Sequence, residues 1–158
     1  MKTTAIISPD PIDAEEADYL FVAPSQIPNA GKGLFTAIPI YKNEIISVFK
    51  GELLSEKEAK LRAEQGIDNY FIVMPDGNIM DSKNTECFAK YANDSEGLVK
   101  TAYRLNAVIA LDDDENVCVV AKRSIKSGEE IFCGYGEAYW KKHRKQIVQE
   151  ILQKINDN

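Results

Sequence analysis

Histidine is almost missing from this chain: of 158 residues one is a histidine and three are cysteines. That scarcity removes Ser-His-Asp and Cys-His nucleophilic sites and imidazole-rich metal centres from consideration, because each needs a base or several ligands that are not there. The lone imidazole, His143, falls in Lys141-Lys142-His143-Arg144-Lys145, where a solvated helix face is expected. Cys87, Cys118 and Cys133 are widely spaced, with no Cys-x-x-Cys pair. They read as reduced, buried thiols rather than a disulfide framework or a zinc site. Also absent is any apolar run of the roughly 18 residues that would cross a bilayer, and the first ten residues lack the apolar run of a signal peptide. A soluble, cytoplasmic protein without membrane contact is the expectation.

Cations are outnumbered, 19 against 25 acidic residues, for a net charge of −6. Nucleic-acid binding rests on clustered cations that neutralise phosphates, so direct nucleic-acid contact is not expected, whereas an acidic surface favours a basic partner. The length suits one domain, and 44% hydrophobic residues are enough for one core. Whatever chemistry occurs must run on tyrosine, backbone groups or a borrowed cofactor.

Short apolar runs at Ala5–Ser8 and Tyr19–Ala23 flank prolines and an acidic patch (Asp13, Glu15, Glu16, Asp18), which reads as strand, loop, strand. In Pro28-Asn29-Ala30-Gly31-Lys32-Gly33-Leu34-Phe35, two glycines bracket Lys32 ahead of a strand. Such a loop can press backbone N–H groups against a ligand, and it can equally be a plain hairpin turn. A strand at Ile45–Phe49 follows. Then Ser55, with Glu58 three residues on, predicts an exposed helix stopped by Gly66. Tyr70–Met74 and Asn78–Asp81 predict a hairpin about Pro75-Asp76-Gly77, and Ala107–Leu111 with Val117–Ala121 a second one. The acidic run Asp112–Glu115 between the latter lacks the spaced ligands of a calcium loop and reads as a charged turn.

Between Ser82 and Leu105 the periodicity fails although apolar residues persist (Cys87, Phe88, Tyr91, Leu98, Val99, Tyr103), which predicts irregular chain threaded through a core beside a site. Glu129 and Glu130 resemble a carboxylate pair, but strand neighbours point to opposite faces, so turn-capping and surface roles are expected. Gly134-Tyr135-Gly136 then sets a phenol between two residues that allow close approach. Finally Ile147, Val148, Ile151, Leu152 and Ile155 recur at helical spacing, predicting an amphipathic helix over about residues 141–155 whose stripe packs on the sheet or on another chain. The residues by themselves give a single β-rich domain of short strands with two modest helices.

Four separated stretches combine in order: Ala30-Gly31-Lys32-Gly33-Leu34-Phe35, Asn69-Tyr70-Phe71, Ala89-Lys90-Tyr91-Ala92-Asn93-Asp94-Ser95, and Gly128-Glu129-Glu130-Ile131 with Gly134-Tyr135-Gly136. Together they resemble the SET-domain protein-lysine methyltransferases over about residues 19–140, and the ending through Tyr139-Trp140 is similar to that of small viral members without flanking modules. The resemblance implies a mainly β fold of the β-clip-like kind: small curved sheets, a C-terminal pseudoknot, a short inserted helix and a C-terminal helix. It implies S-adenosyl-L-methionine as cofactor, bound by Ala30, Gly31, Lys32, Gly33, Asn93 and Asp94, with Trp140 and Tyr139 covering the adenine. It further implies Tyr135 as the catalytic tyrosine, Tyr70 in the substrate-lysine channel, a basic protein as substrate, and a homodimer as one possible assembly. Lys32 either meets the cofactor's carboxylate or projects into water. Asp94 stands where the family carries histidine, which leaves open a degenerate member that binds peptide or cofactor without turnover, and Asn106-Ala107 is the nearest match to the family's Pro-Asn step.

Overall fold

Among the residues that the computed structural model of the chain describes, 8–97 and 100–158, ten short strands form three small sheets. The strand expected at Ala5–Ser8 falls, apart from Ser8, outside them, as do Leu98, Val99 and the side chain of Ile147. The first sheet orders β1 (Asp10–Pro11), β4 (Glu44–Val48), β9 (Val117–Ala121) and β8 (Ala107–Leu111). The second orders β10 (Glu130–Ile131), β3 (Lys32–Thr36) and β2 (Leu20–Pro24), and the third β5 (Glu52–Leu54), β7 (Ile79–Asp81) and β6 (Phe71–Val73). Every pair is antiparallel except β1 with β4, so short turns suffice between neighbours and both expected hairpins form. In the acidic turn of the β8–β9 hairpin, Asp112 Oδ1 accepts from the N–H groups of Asp114 and Asn116 at 2.9 and 2.8 Å. The carboxylate thus serves the turn itself.

Helix α2 (Glu56–Glu64) starts as the sequence predicts: Ser55 Oγ accepts the Glu58 N–H at 3.1 Å, and Gly66, at φ +72°, follows its end. The Glu58 carboxylate turns to Arg62 instead of closing the capping box, and Arg62 also reaches Asp81 and Glu52, fastening the helix to the third sheet. The acidic patch near the start is not a plain loop. It contains one helical turn, α1 (Glu16–Tyr19), because Glu16 accepts from Ser47 Oγ and Val48 N, while the Tyr19 hydroxyl donates to Ile46 O at 2.8 Å.

The core runs through Leu34, Ile40, Ile46, Ile72, Ile109, Ile125 and Ile131, all fully buried. Through it passes the segment 130–135, bridged in parallel by Asn93 at Phe132 and by Ala107 at Cys133. This is the crossing implied by the resemblance, since the stretch between those two bridging residues is the irregular chain read from the lost periodicity. Asn106 fastens it: its Nδ2 donates to Glu130 O at 2.9 Å and its Oδ1 accepts from Phe132 N at 2.8 Å. An amide side chain offers a donor and an acceptor side by side, which suits two backbone groups of one passing segment.

Helix α3 (Glu137–Asn156) begins four residues earlier than the pattern of apolar residues predicts, because Gly136 takes φ +91° and turns the chain straight into it. Its stripe does not cover the protein's own sheets: Val148, Ile151, Leu152 and Ile155 are 53–63% exposed. His143, expected in solvent, is buried, with its ring 4.0 Å from that of Tyr139. The position lies on the one side of the helix's first turns that faces the body, which a run of cations does not reveal. The three cysteines are free and buried, as expected.

Replacing Asn106 by alanine strips partners from two backbone groups in the core. We expect a loss of about 2–4 kcal/mol in urea unfolding, whereas a loss below about 1 kcal/mol would mean that the crossing is held by the sheets alone.

Candidate active site

Below β3, the loop that precedes it is shaped from underneath by a buried carboxylate. Glu130 Oε1 accepts from Ser25 Oγ at 2.7 Å and Oε2 from Gln26 N at 2.8 Å, and Ser25 Oγ in turn accepts from Ile27 N. Glu130 is therefore not the surface residue expected from its sequence neighbour; only Glu129 behaves so, with its Oε1 accepting the Lys126 N–H at 3.1 Å across the turn. Gly33 explains how the carboxylate fits, since a Cβ there would lie 2.1 Å from Glu130 Oε1. Gly33 is thus a packing glycine and does not line the cleft described next. Gly31, at φ +72°, is different: a Cβ there would meet nothing within 4 Å, so its backbone borders open space.

That space is a cleft of about 610 Å³ bounded by Ala30, Gly31, Lys32, Tyr70, Asn93, Asp94, Tyr135, Tyr139 and Trp140. Its size lies within the range of small-molecule sites. Ile27, Pro28, Asn29, Asn69, Lys90 and Tyr91 complete the wall. Of the residues singled out from the sequence, all but Gly33 come together here. Asn93 knits two sides of the cleft: its Nδ2 donates to Lys32 O at 2.9 Å, and its carbonyl accepts from Cys133 N at 2.9 Å. The Lys32 side chain is exposed at the rim. Lys90, which the sequence reading left without a role, is held by the carbonyls of Thr85, Lys83 and Ser82 at 2.9, 3.2 and 3.4 Å.

Asp94 accepts three hydrogen bonds at the cleft wall. Its Oδ2 accepts from Tyr135 N at 2.9 Å and from Trp140 Nε1 at 2.8 Å, and its Oδ1 accepts from Glu96 N at 2.9 Å. The Tyr135 hydroxyl donates to Ala92 O at 2.6 Å. Around this phenol, Tyr139 packs edge-on at 4.9 Å and Trp140 lies nearly parallel at 5.8 Å. Behind the cleft, a crevice of about 10 Å³ is lined by Phe49, Tyr70, Ile72, Ser82 and Tyr135 among others. It shares Tyr70, Lys90 and Tyr135 with the cleft and is no wider than a water. Ser82 Oγ, buried at this crevice, has no hydrogen-bond partner.

Burial is the first cause that raises the Tyr135 pKa well above the ordinary phenol value, with Cys133, Tyr139, Asp94 and Tyr70 adding to it. Burial likewise pushes Tyr139 up to about 12, aided by Tyr70, Asp68 and Asp94. The site therefore holds neutral phenols, dipoles and backbone carbonyls. An arrangement of this kind orients and desolvates; it does not supply a strong base near neutrality.

A family model described as the SET domain matches residues 31–136, more than half of the chain. The histone-lysine N-methyltransferase mes-2 of Caenorhabditis elegans is 31% identical over 119 residues, which make up 73% of this chain and 15% of that protein. The histone-lysine N-methyltransferases EZ2 and EZ3 of Zea mays are each 29% identical over 109 residues, 67% of this chain and 12% of theirs. The chain thus spans less than a sixth of the length of these relatives.

Tyr19, Tyr135 and Tyr139 all carry raised phenol pKa values. A raised value favours the protonated native state, so this stabilisation is complete below about pH 10, the unfolded value, and is lost as pH climbs through the raised values. We expect alkaline titration followed by tyrosinate absorbance to show these phenols ionising only above pH 10 and together with loss of the folded state; full ionisation at pH 10 in a folded protein would refute their burial.

Proposed function

The chain belongs to the SET-domain family, and from that premise we propose that it transfers a methyl group from S-adenosyl-L-methionine to a lysine side chain of a basic protein, histone-like, ribosomal or other. The observation that carries this reading is the convergence of Gly31, Asn93 and Tyr135 on one cleft, from segments more than forty residues apart in sequence. The donor, when bound, supplies an electrophilic methyl on a sulfonium. The residues fit such a molecule: Gly31 leaves room for close approach, Tyr139 and Trp140 offer aromatic surface, and Lys32 stands at the rim where a carboxylate would be paired. The net charge of −6 suits a cationic protein partner.

The lysine amine must be neutral to attack. With an ordinary pKa near 10.4, populating that form at pH 7 costs about 4.6 kcal/mol. Tyr70, Ile72, Phe49 and Tyr135 wall the crevice behind the cleft and would strip water from an entering ammonium, which lowers its pKa; a cationic donor across the gap acts in the same direction. The proton then leaves to solvent before transfer, and no histidine base is required. Tyr135 contributes position. Its hydroxyl donates to Ala92 O, which fixes the phenol oxygen at the cleft, where its lone pairs would be available to orient the reacting groups of a bound donor and amine. Alignment of two bound reactants is worth up to about 7–11 kcal/mol in favourable cases. Asp94, the ground for reading the chain as a binder without turnover, accepts bonds from Tyr135 and Trp140, and a carboxylate that steadies the phenol-bearing segment supports the reading of transfer.

The test is radiolabel transfer from S-adenosyl-L-methionine to basic proteins, alongside calorimetry with S-adenosylhomocysteine. Wild type should bind and transfer, and at a hundredfold excess over Kd the ligand should stabilise the fold by about 2.7 kcal/mol. Tyr135→Phe should cut turnover at least about a hundredfold and leave binding within about threefold. Binding without transfer to any basic protein would favour the non-catalytic reading, and an unaffected rate in Tyr135→Phe would remove that residue from the mechanism.

A further inference from the structure

Among the described side chains, helix α3 meets the body through its first turns: the anchors are Tyr139, Trp140, Lys142, which pairs with Asp68, buried His143, and Arg144, whose Nη2 donates to Gly97 O at 3.4 Å. From Val148 onward every residue is exposed. Trp140 is the most constrained of these. Its indole N–H is spent on Asp94 Oδ2, the same oxygen that accepts the Tyr135 backbone N–H. Against the ring lies Gly97, where an added Cβ would stand 2.1 Å from Cε2, 2.3 Å from Cζ2 and 2.4 Å from Nε1. Only a residue without a side chain admits the ring there. No positive φ is involved at Gly97, so steric room alone demands glycine at this position.

We propose that Asp94 and Gly97 form a seat for Trp140 that fixes the first turn of α3 over the cleft before any ligand enters, with Asp94 acting as a positioning residue. A carboxylate oxygen can accept two donors at once, and a hydrogen bond to an ionised acceptor is stronger than one between neutral groups. One oxygen thereby couples the backbone of the phenol-bearing segment to the indole of the helix that follows it. The intervening Gly136 supplies the turn that lets both donors reach the same acceptor. Without the seat the indole is free to leave Tyr135, and the wall formed by Tyr139 and Trp140 leaves with it. The effect of this seat on donor binding rests on the function proposed above; the seat itself does not.

Trp140 is the only tryptophan, so its indole N–H gives a single resonance and its fluorescence a single emitter. In the ligand-free wild type the indole proton should exchange slowly. Asp94→Ala and Gly97→Ala, which attack the seat from different sides, should each speed that exchange at least about tenfold and red-shift the emission. Asp94→Asn, which keeps one oxygen for the two donors but loses the charge and turns an amide N–H toward the Glu96 N–H, should fall between wild type and Asp94→Ala. Affinity for S-adenosylhomocysteine should fall about tenfold in Trp140→Phe, which removes the indole bond alone, and at least about tenfold in Asp94→Ala, which also frees the N–H groups of Tyr135 and Glu96. The double variant should bind no more than about twofold worse than Asp94→Ala, because the indole bond is already lost there. Unchanged indole exchange in Asp94→Ala, or fully additive losses, overturns the seat. Should wild type fail to bind S-adenosylhomocysteine at all, the proposed function fails while the indole measurements still decide the seat.

Discussion

The passage of residues 130–135 through the centre of the protein is the constraint on which the rest depends. A strand pair only two residues long, β10 against β3, cannot hold a segment in a core by itself. Its backbone groups still need partners, because an unpaired buried amide costs about as much as a lost hydrogen bond. Two asparagines provide them: Asn106 by both ends of its amide, and Asn93 through its own carbonyl to Cys133 N. Once the segment is pinned there, Tyr135 emerges at the cleft with its hydroxyl on Ala92 O. The site is a by-product of how the core is closed.

The electrostatics follow the same economy of means. With one imidazole, buried beside Tyr139, proton transfer at neutral pH has no dedicated agent in the cleft. What the cleft has instead is aromatic surface, phenols held neutral by burial, and carbonyl dipoles. A reaction that needs only a desolvated amine and a fixed line of approach is compatible with those parts. Glu130 extends this logic to the loop before β3. A buried carboxylate accepting one hydrogen bond from Ser25 and one from Gln26 fixes the shape of the backbone that Gly31 presents.

Several elements were legible from local pattern because their causes are local. The Ser55 cap and the two hairpins depend on residues near in sequence, and they formed where expected. The failures have a common origin in contacts that local pattern does not encode. Glu130 follows Glu129 and looks like its twin, yet one caps a turn and the other lies under a loop one hundred residues earlier. Gly33 looked like a ligand-facing glycine beside Gly31 and is instead the space into which Glu130 fits. His143 was hidden by the cations around it, and the start of α3 by the aromatic pair that its first turn carries.

Composition and motif order by themselves determined that this is a β-rich chain, without a histidine-based centre, carrying the four stretches of a SET domain in their order. These properties sit in residue type and spacing, which survive unfolding on paper. Only the tertiary structure decided which glycine opens onto the cleft and which makes room for a carboxylate, that Asp94 serves Tyr135 and Trp140 at once, and that Val148, Ile151, Leu152 and Ile155 of α3 stay exposed. The reason is that a crossing brings together groups separated by forty to one hundred residues, and burial, not sequence position, then sets what each carboxylate, phenol and indole is able to do.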